Sequence, residues 1–100
     1  MILEMAVLQV KPGQEAAYEA ALQEALPIIS AAKSFRGMEF QRCIETPGRY
    51  LFLVRWETLE DHTQGFRGSA AYQEWRSRLH PFYESALVEH YEQVASVPMG

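Results

Sequence analysis

Tyr50-Leu51-Phe52-Leu53-Val54-Arg55-Trp56-Glu57 is the stretch that decides the architecture. It is rich in aromatic and branched side chains and follows the turn cluster Thr46-Pro47-Gly48-Arg49, so it reads as a strand. Successive strand residues point to opposite faces. Tyr50, Phe52, Val54 and Trp56 therefore share one face, and Leu51 and Leu53 share the other. A sheet with helices on one side and water on the other alternates apolar with polar. This strand is apolar on both sides. Ile2 to Val10 repeats the pattern, with Ile2, Ala6, Leu8 and Val10 opposing Leu3, Met5 and Val7.

The rest of the chain supplies the cover for one face. After the breaker Pro12-Gly13, Tyr18, Leu22, Ala25, Leu26 and Ile29 recur at steps of three and four, which predicts a helix from Gln14 that fades through Ala31-Ala32-Lys33. Pro27 lies inside it and is expected to kink the helix or restart its last turns. Met38, Phe40, Arg42 and Ile44 alternate with Glu39, Gln41, Cys43 and Glu45, a second strand that forms a hairpin with the third. Thr58-Leu59-Glu60-Asp61 matches a capping box, and Leu59, His62, Thr63 and Phe66 then share one helical face. Ser69 caps a further helix with the inner face Tyr72, Trp75 and Leu79, closed by Pro81. Leu87 to Val94 is the expected last strand.

The order β-α-β-β-α-β is that of an α+β, ferredoxin-like sandwich with a four-stranded antiparallel sheet. The expected domain spans residues 1–95, followed by a tail over 96–100. The chain's own helices cover only one sheet face, and an apolar face above a few hundred Å² is rarely left in water. A second copy related by a two-fold axis is the simplest cover, which predicts a homodimer whose two sheets pack as a dimeric α/β barrel.

Composition narrows the function classes. The chain has 100 residues and a formal net charge of -4, without a basic block, so nucleic acid is not an expected partner. Cys43 is the single cysteine, which excludes an internal disulfide and an all-cysteine metal cage; it reads as a small buried hydrophobe. No apolar run is long enough to span a bilayer, and the first residues lack the basic region of a signal peptide. The expectation is therefore a cytoplasmic protein without a membrane partner.

Nucleotide-binding, hydrolase and zinc-protease motifs are missing from the sequence, and His62, His80 and His90 lack metal-ligand spacing, so no metal is expected. What stands out is a cluster. Between Trp56 and Tyr91 lie both tryptophans, all three histidines, and Arg67, Arg76 and Arg78. Aromatics with a few convergent polar groups suit a pocket for a flat apolar ligand. The same Tyr72 and Trp75 at helical spacing also read as plain core. His62 points inward beside Phe66, as a core histidine bonded to backbone or as a general base. Arg67 is placed to bind an anionic oxygen at the pocket mouth, or is solvated or paired with Glu60 or Asp61. His90 alternates with Val88 and Glu92 and faces either the helices or the dimer seam. His80, at a helix end before Pro81, reads as a cap.

Leu53-Val54-Arg55-Trp56-Glu57 leading into an inward His62, then Gly65-Phe66-Arg67, Ser69, Tyr72 and Trp75, then Val88-Glu89-His90-Tyr91, together with the Lys11-Pro12-Gly13 turn, resemble the antibiotic biosynthesis monooxygenase family over nearly the whole chain. The resemblance implies a dimeric α/β barrel. It also implies an activity known in that family: cofactor-independent oxidation of phenols or quinols by dioxygen. The haem-degrading branch fits poorly. This sequence has no asparagine at all, with Ala6 where that branch's asparagine aligns and Trp75 near its histidine ligand. For the phenol-oxidising branch, Trp75, Tyr72, Arg67 and His62 match by environment and not by a strict motif. The expected catalytic groups are His62 and Arg67, with Tyr72, Trp75, Phe66 and His90 as substrate-binding residues, a small aromatic phenol or quinol as substrate, and no cofactor. The alternative is a non-catalytic homodimer that binds a small ligand or serves as a scaffold, favoured by a pocket below about 300 Å³.

Overall fold

The computed structural model describes residues 1–98. Strand β1 runs over Ile2–Val10, helix α1 over Glu15–Ser30, β2 over Phe35–Arg42, β3 over Arg49–Trp56, helix α2 over Ala70–Leu79 and β4 over Tyr83–Glu92. The strands form one antiparallel sheet in the order β2-β3-β1-β4. The two central strands, β1 and β3, alternate in burial although their sequences are apolar at both parities. Glu4, Ala6, Leu8 and Val10 of β1 and Tyr50, Phe52, Val54 and Trp56 of β3 are buried beneath the helices. Tyr18, Leu22, Ala25 and Ile29 of α1 and Trp75 and Leu79 of α2 close over them.

Register fixes which side chains meet. On the helix side, Ala6 pairs with Phe52 and Val88, and Glu4 pairs with Val54 and His90. On the opposite side, Leu3, Met5, Val7, Leu51 and Leu53 stay half-buried, flanked by Leu87 at 55% and Tyr91 at 45% exposure. Among the described residues nothing is layered over this second apolar face as the helices are over the first.

Helix α1 does not restart at Pro27; it runs on to Ser30, with Ala31 N–H donating to the Pro27 carbonyl. Proline lacks its own amide hydrogen but still accepts, so the turn after it closes. Strand β2 stops at Arg42. Cys43 N–H donates to the Arg49 carbonyl at 2.9 Å and turns the chain, leaving Ile44 92% exposed and Cys43 half-buried rather than buried. Gly48 holds φ 77°, where a Cβ would come within 3.1 Å of the Val10 carbonyl, so the hairpin needs glycine there.

Strand β4 begins and ends earlier than expected. A single 3-10 turn, His80–Phe82, follows α2, after which Tyr83 pairs with Val10 and Glu92 with Ile2. Val94 lies past the end of β1 and is 96% exposed. The expected tail, 96–100, reaches residues 99 and 100, which lie outside the described residues.

Between β3 and α2 the chain winds as a π-helical turn, Asp61–Phe66. Thr58 and Asp61 form the reciprocal capping box at 3.2 Å each way, and Ser69 Oγ accepts from Tyr72 N–H at 3.2 Å to start α2. Arg67 N–H donates to the His62 carbonyl five residues back. This wider winding keeps His62 and Phe66 buried and turns Leu59 out to 40% exposure, so Leu59 is not on the shared inner face.

Candidate functional site

A cavity of about 160 Å³ lies between the inner sheet face and the helical layer. Its floor is Ala6, Leu8, Phe52, Val54 and Val88, and its roof includes Ile29, Phe66, Tyr72 and Trp75. These walls follow from strand parity and from the α2 face; the floor is mainly aliphatic and the roof mainly aromatic. Trp75 stands 6.1 Å from Phe52, and Phe66 meets Trp75 and Tyr72 edge-on.

One end of the cavity is polar. Glu4, His62 and Arg67 line it. Glu4 is 8% exposed and His62 3%. Trp56 Nε1–H donates to Glu4 Oε1 at 3.0 Å, and His62 Nε2 lies 3.3 Å from the same oxygen. On its other side, His62 Nδ1 is 2.7 Å from His90 Nε2. The His62 ring stacks on Trp56 with centroids 5.3 Å apart. His62 is therefore held by side chains, not by backbone.

Burial first, then the charges of Arg67 and His90, pushes the His62 imidazole down to about 3, so it is neutral at physiological pH. Its contact with Glu4 is polar rather than an ion pair. Burial lifts the Glu4 carboxyl above its usual range, opposed by the Trp56 bond and by the Arg67 charge. Burial and then Arg67 also lower His90.

The other end carries Tyr83 and His80. Tyr83 and Tyr18 share a hydroxyl–hydroxyl bond of 2.8 Å, and burial raises both phenols. His80 sits in the turn after α2, 5.6 Å from the Tyr83 ring, and burial, followed by Arg76, lowers its imidazole. That direction opposes the cationic helix cap expected of it.

The structure thus brings His62, Arg67, Phe66, Tyr72 and Trp75 to one cavity. His90 is on the helix side of the sheet but stands behind His62, off the cavity wall. Glu4 and Tyr83 are the residues that sequence reasoning passed over. Glu4 had a signal: it has the same parity as Ala6, Leu8 and Val10, so it had to point into the core. Tyr83 has no such signal, because the apolar pattern that marks the last strand begins only at Leu87, whereas β4 itself begins at Tyr83. Among the described residues, no group of three or more His, Cys, Asp or Glu side chains is gathered closely enough to hold a metal ion, and no helix is long and apolar enough to cross a membrane.

Comparison with known proteins agrees with this fold. The chain is 48% identical over 95 residues to the uncharacterized protein YczJ of Bacillus subtilis, covering 94% of this chain and all of that one. A crystal structure from Bordetella bronchiseptica, provisionally described as an antibiotic biosynthesis monooxygenase, is 38% identical and superposes with a TM-score of 0.89 over 94% of this chain and 97% of its own. The cofactor-independent oxygenase SnoaB of Streptomyces nogalater, solved as a point mutant, shares the fold with a TM-score of 0.84 at 9% identity, over 98% and 97% of the two chains. Residues 1–78 match the antibiotic biosynthesis monooxygenase family, and the chain belongs to that family.

Proposed function

We propose that this protein is a monooxygenase that oxidises a one-ring phenol or quinol with dioxygen, working as a homodimer. The observation that carries this reading is the pairing of an aromatic cavity with a Glu4, His62 and Arg67 group at one end of it. The aromatic walls take the ring. The His62–Glu4 pair receives the phenolic proton, and the Arg67 guanidinium steadies the oxyanion. An electron-rich phenolate then reduces dioxygen: a benzenoid quinol and dioxygen give a hydroxyquinone and water. Size supports one ring, since an apolar cavity of about 150 Å³ accepts benzene, and this one measures about 160 Å³. Tyr72 and Trp75 on the roof and Phe66 beside Arg67 are the ring-binding residues in this reading.

The uncovered face of Leu3, Met5, Val7, Leu51 and Leu53 supports the homodimer. Oxygen uptake with one-ring quinols, alongside anthrones, tests the activity. Uptake is expected with the one-ring compounds and is expected to fall in His62→Ala and Trp75→Phe. No uptake on any substrate, or full activity in both variants, would overturn the reading.

A second reading has its own support. The cavity is smaller than the usual lower bound of about 300 Å³ for ligand pockets. That size favours a non-catalytic dimer that holds a small ligand or acts as a scaffold. Tight binding of a phenol with no turnover would select it.

A further inference from the structure

Among the described residues, Glu4 is the one buried carboxylate, flanked on β1 by Ile2 and Ala6 of the same parity. A desolvated carboxylate is costly, and it survives where partners or a task hold it. Its Oε1 takes the Trp56 indole hydrogen at 3.0 Å and faces His62 Nε2 at 3.3 Å; Oε2 takes neither contact. His62 cannot offer Nδ1 to a ligand, because His90 occupies it at 2.7 Å. The result is a row from the cavity to the half-exposed edge strand: carboxylate, imidazole, imidazole.

We propose that Glu4 is the catalytic base, taking the phenolic proton on Oε2 while Oε1 stays anchored to Trp56, and that His62 and His90 are positioning residues that hold it. In this step the phenolic O–H bond breaks, its electron pair stays on oxygen as phenolate, and a new O–H bond forms on Glu4. No oxidant is consumed. Arg67 faces the resulting anion. The titratable and charged groups around Glu4 are His62 and Arg67 from the helical layer and His90 from β4. With Glu4 ionised, the consistent arrangement of protons puts one on His62 Nε2, facing the carboxylate, and one on His90 Nε2, donated to His62 Nδ1. Burial raises the basicity of the carboxylate and lowers that of His62, which points the same way.

The inference rests on the reading of the cavity as a phenol site, and its test separates the two. Wild-type protein, Glu4→Gln, His90→Ala and His90→Gln are titrated with 4-nitrophenol near pH 6, where the visible phenolate band reports proton transfer. The wild type is expected to bind phenolate and Glu4→Gln to bind the neutral phenol, with kcat/KM for a quinol reduced by roughly 10²-fold or more, as removal of a general base does. His90→Ala frees His62 Nδ1 to take the imidazole proton from Nε2, so Glu4 loses the donor that faces it and the acid limb of kcat/KM is expected to move to higher pH; His90→Gln, whose amide N–H can donate to His62 Nδ1, is expected to move it back. An infrared difference spectrum of the wild type adds a readout that needs no variant: phenol binding is expected to create a protonated-carboxyl band. A neutral bound phenol in the wild type without that band, or Glu4→Gln retaining both phenolate and rate, overturns the assignment. Phenolate that forms in the wild type and vanishes in Glu4→Gln while no quinol consumes oxygen keeps the base and removes the oxygenase. Oxygen uptake that persists in Glu4→Gln keeps the oxygenase and removes the base.

Discussion

Trp56 is paired in register with Ile2, yet its indole N–H reaches diagonally to Glu4, 3.0 Å away. The bond ties β3 to β1 inside the core and gives a desolvated carboxylate a donor that cannot lose its proton or change tautomer. Trp56 itself is fully buried, so the ring cannot swing away without opening the sheet–helix interface.

Trp56→Phe keeps most of the ring volume and removes the donor. An ionised Glu4 then loses its anchor, and the expected cost is about 1–3 kcal/mol, the penalty for stranding a buried polar group. The same loss raises the Glu4 carboxyl further, so the acid limb of any activity moves to higher pH. Urea unfolding at neutral pH measures the first effect and a pH–rate profile the second; unchanged stability would mean that water replaces the indole.

Stability should fall as pH drops through the His62 range. The folded imidazole is held at about 3 against an ordinary 6.5, so the unfolded chain binds the extra proton between those values. Stability from this group is present above pH 6.5 and is lost progressively towards pH 3, at roughly 1.4 kcal/mol per pH unit at most. Glu4 acts in the opposite sense: its raised carboxyl stabilises below the ordinary 4.5 and loses that contribution as pH climbs through the folded value. His62→Gln removes only the first component. Its denaturation free energy should fall less than that of the wild type, or rise, as pH drops from 6.5 to 4.5, because the Glu4 component is then unopposed; parallel curves would refute this.

Leu53→Glu tests the uncovered sheet face. Leu53 pairs with Met5 and Glu39 on the side away from the helices, so the substitution leaves the intramolecular core intact. In a two-fold dimer it buries two unpaired charges, each costing at least about 1–3 kcal/mol. The expected result by sedimentation velocity is a folded monomer where the wild type sediments as a dimer. A wild type that already sediments as an 11.5 kDa particle at micromolar concentration would remove the homodimer.

Val88→Phe tests the cavity. Val88 lies half-buried on the floor, paired with Ala6, and a ring there occupies the space a ligand would take. Phenol binding should weaken at least tenfold by calorimetry, while overpacking costs about 1–3 kcal/mol of stability. Undiminished binding would place the ligand elsewhere.

Much of the fold was legible because periodicity is local. Tyr50 to Trp56 and Ile2 to Val10 are so rich in aromatic and branched residues at both parities that strand and doubled apolarity follow without coordinates. Thr58 with Asp61, and Ser69 before Tyr72, announce their caps within a few residues. Element ends were less legible. Tyr83 joins β4 only because Val10 on another strand offers it a partner, and Ile44 leaves β2 because none does.

Local pattern along the chain was enough to set the order of elements, which residues share a face in the first and third strands, and the inward turn of His62 and Trp75, since each depends on neighbours within a few positions. Folding in three dimensions was needed to put Glu4, His62 and His90 in one row, because they come from three segments far apart in the chain and meet through strand register and the π-helical turn. It also set His90 behind His62 and off the cavity wall, and made the cavity one ring in size. Distances and volumes of that kind are set by packing between layers, and no local pattern encodes them.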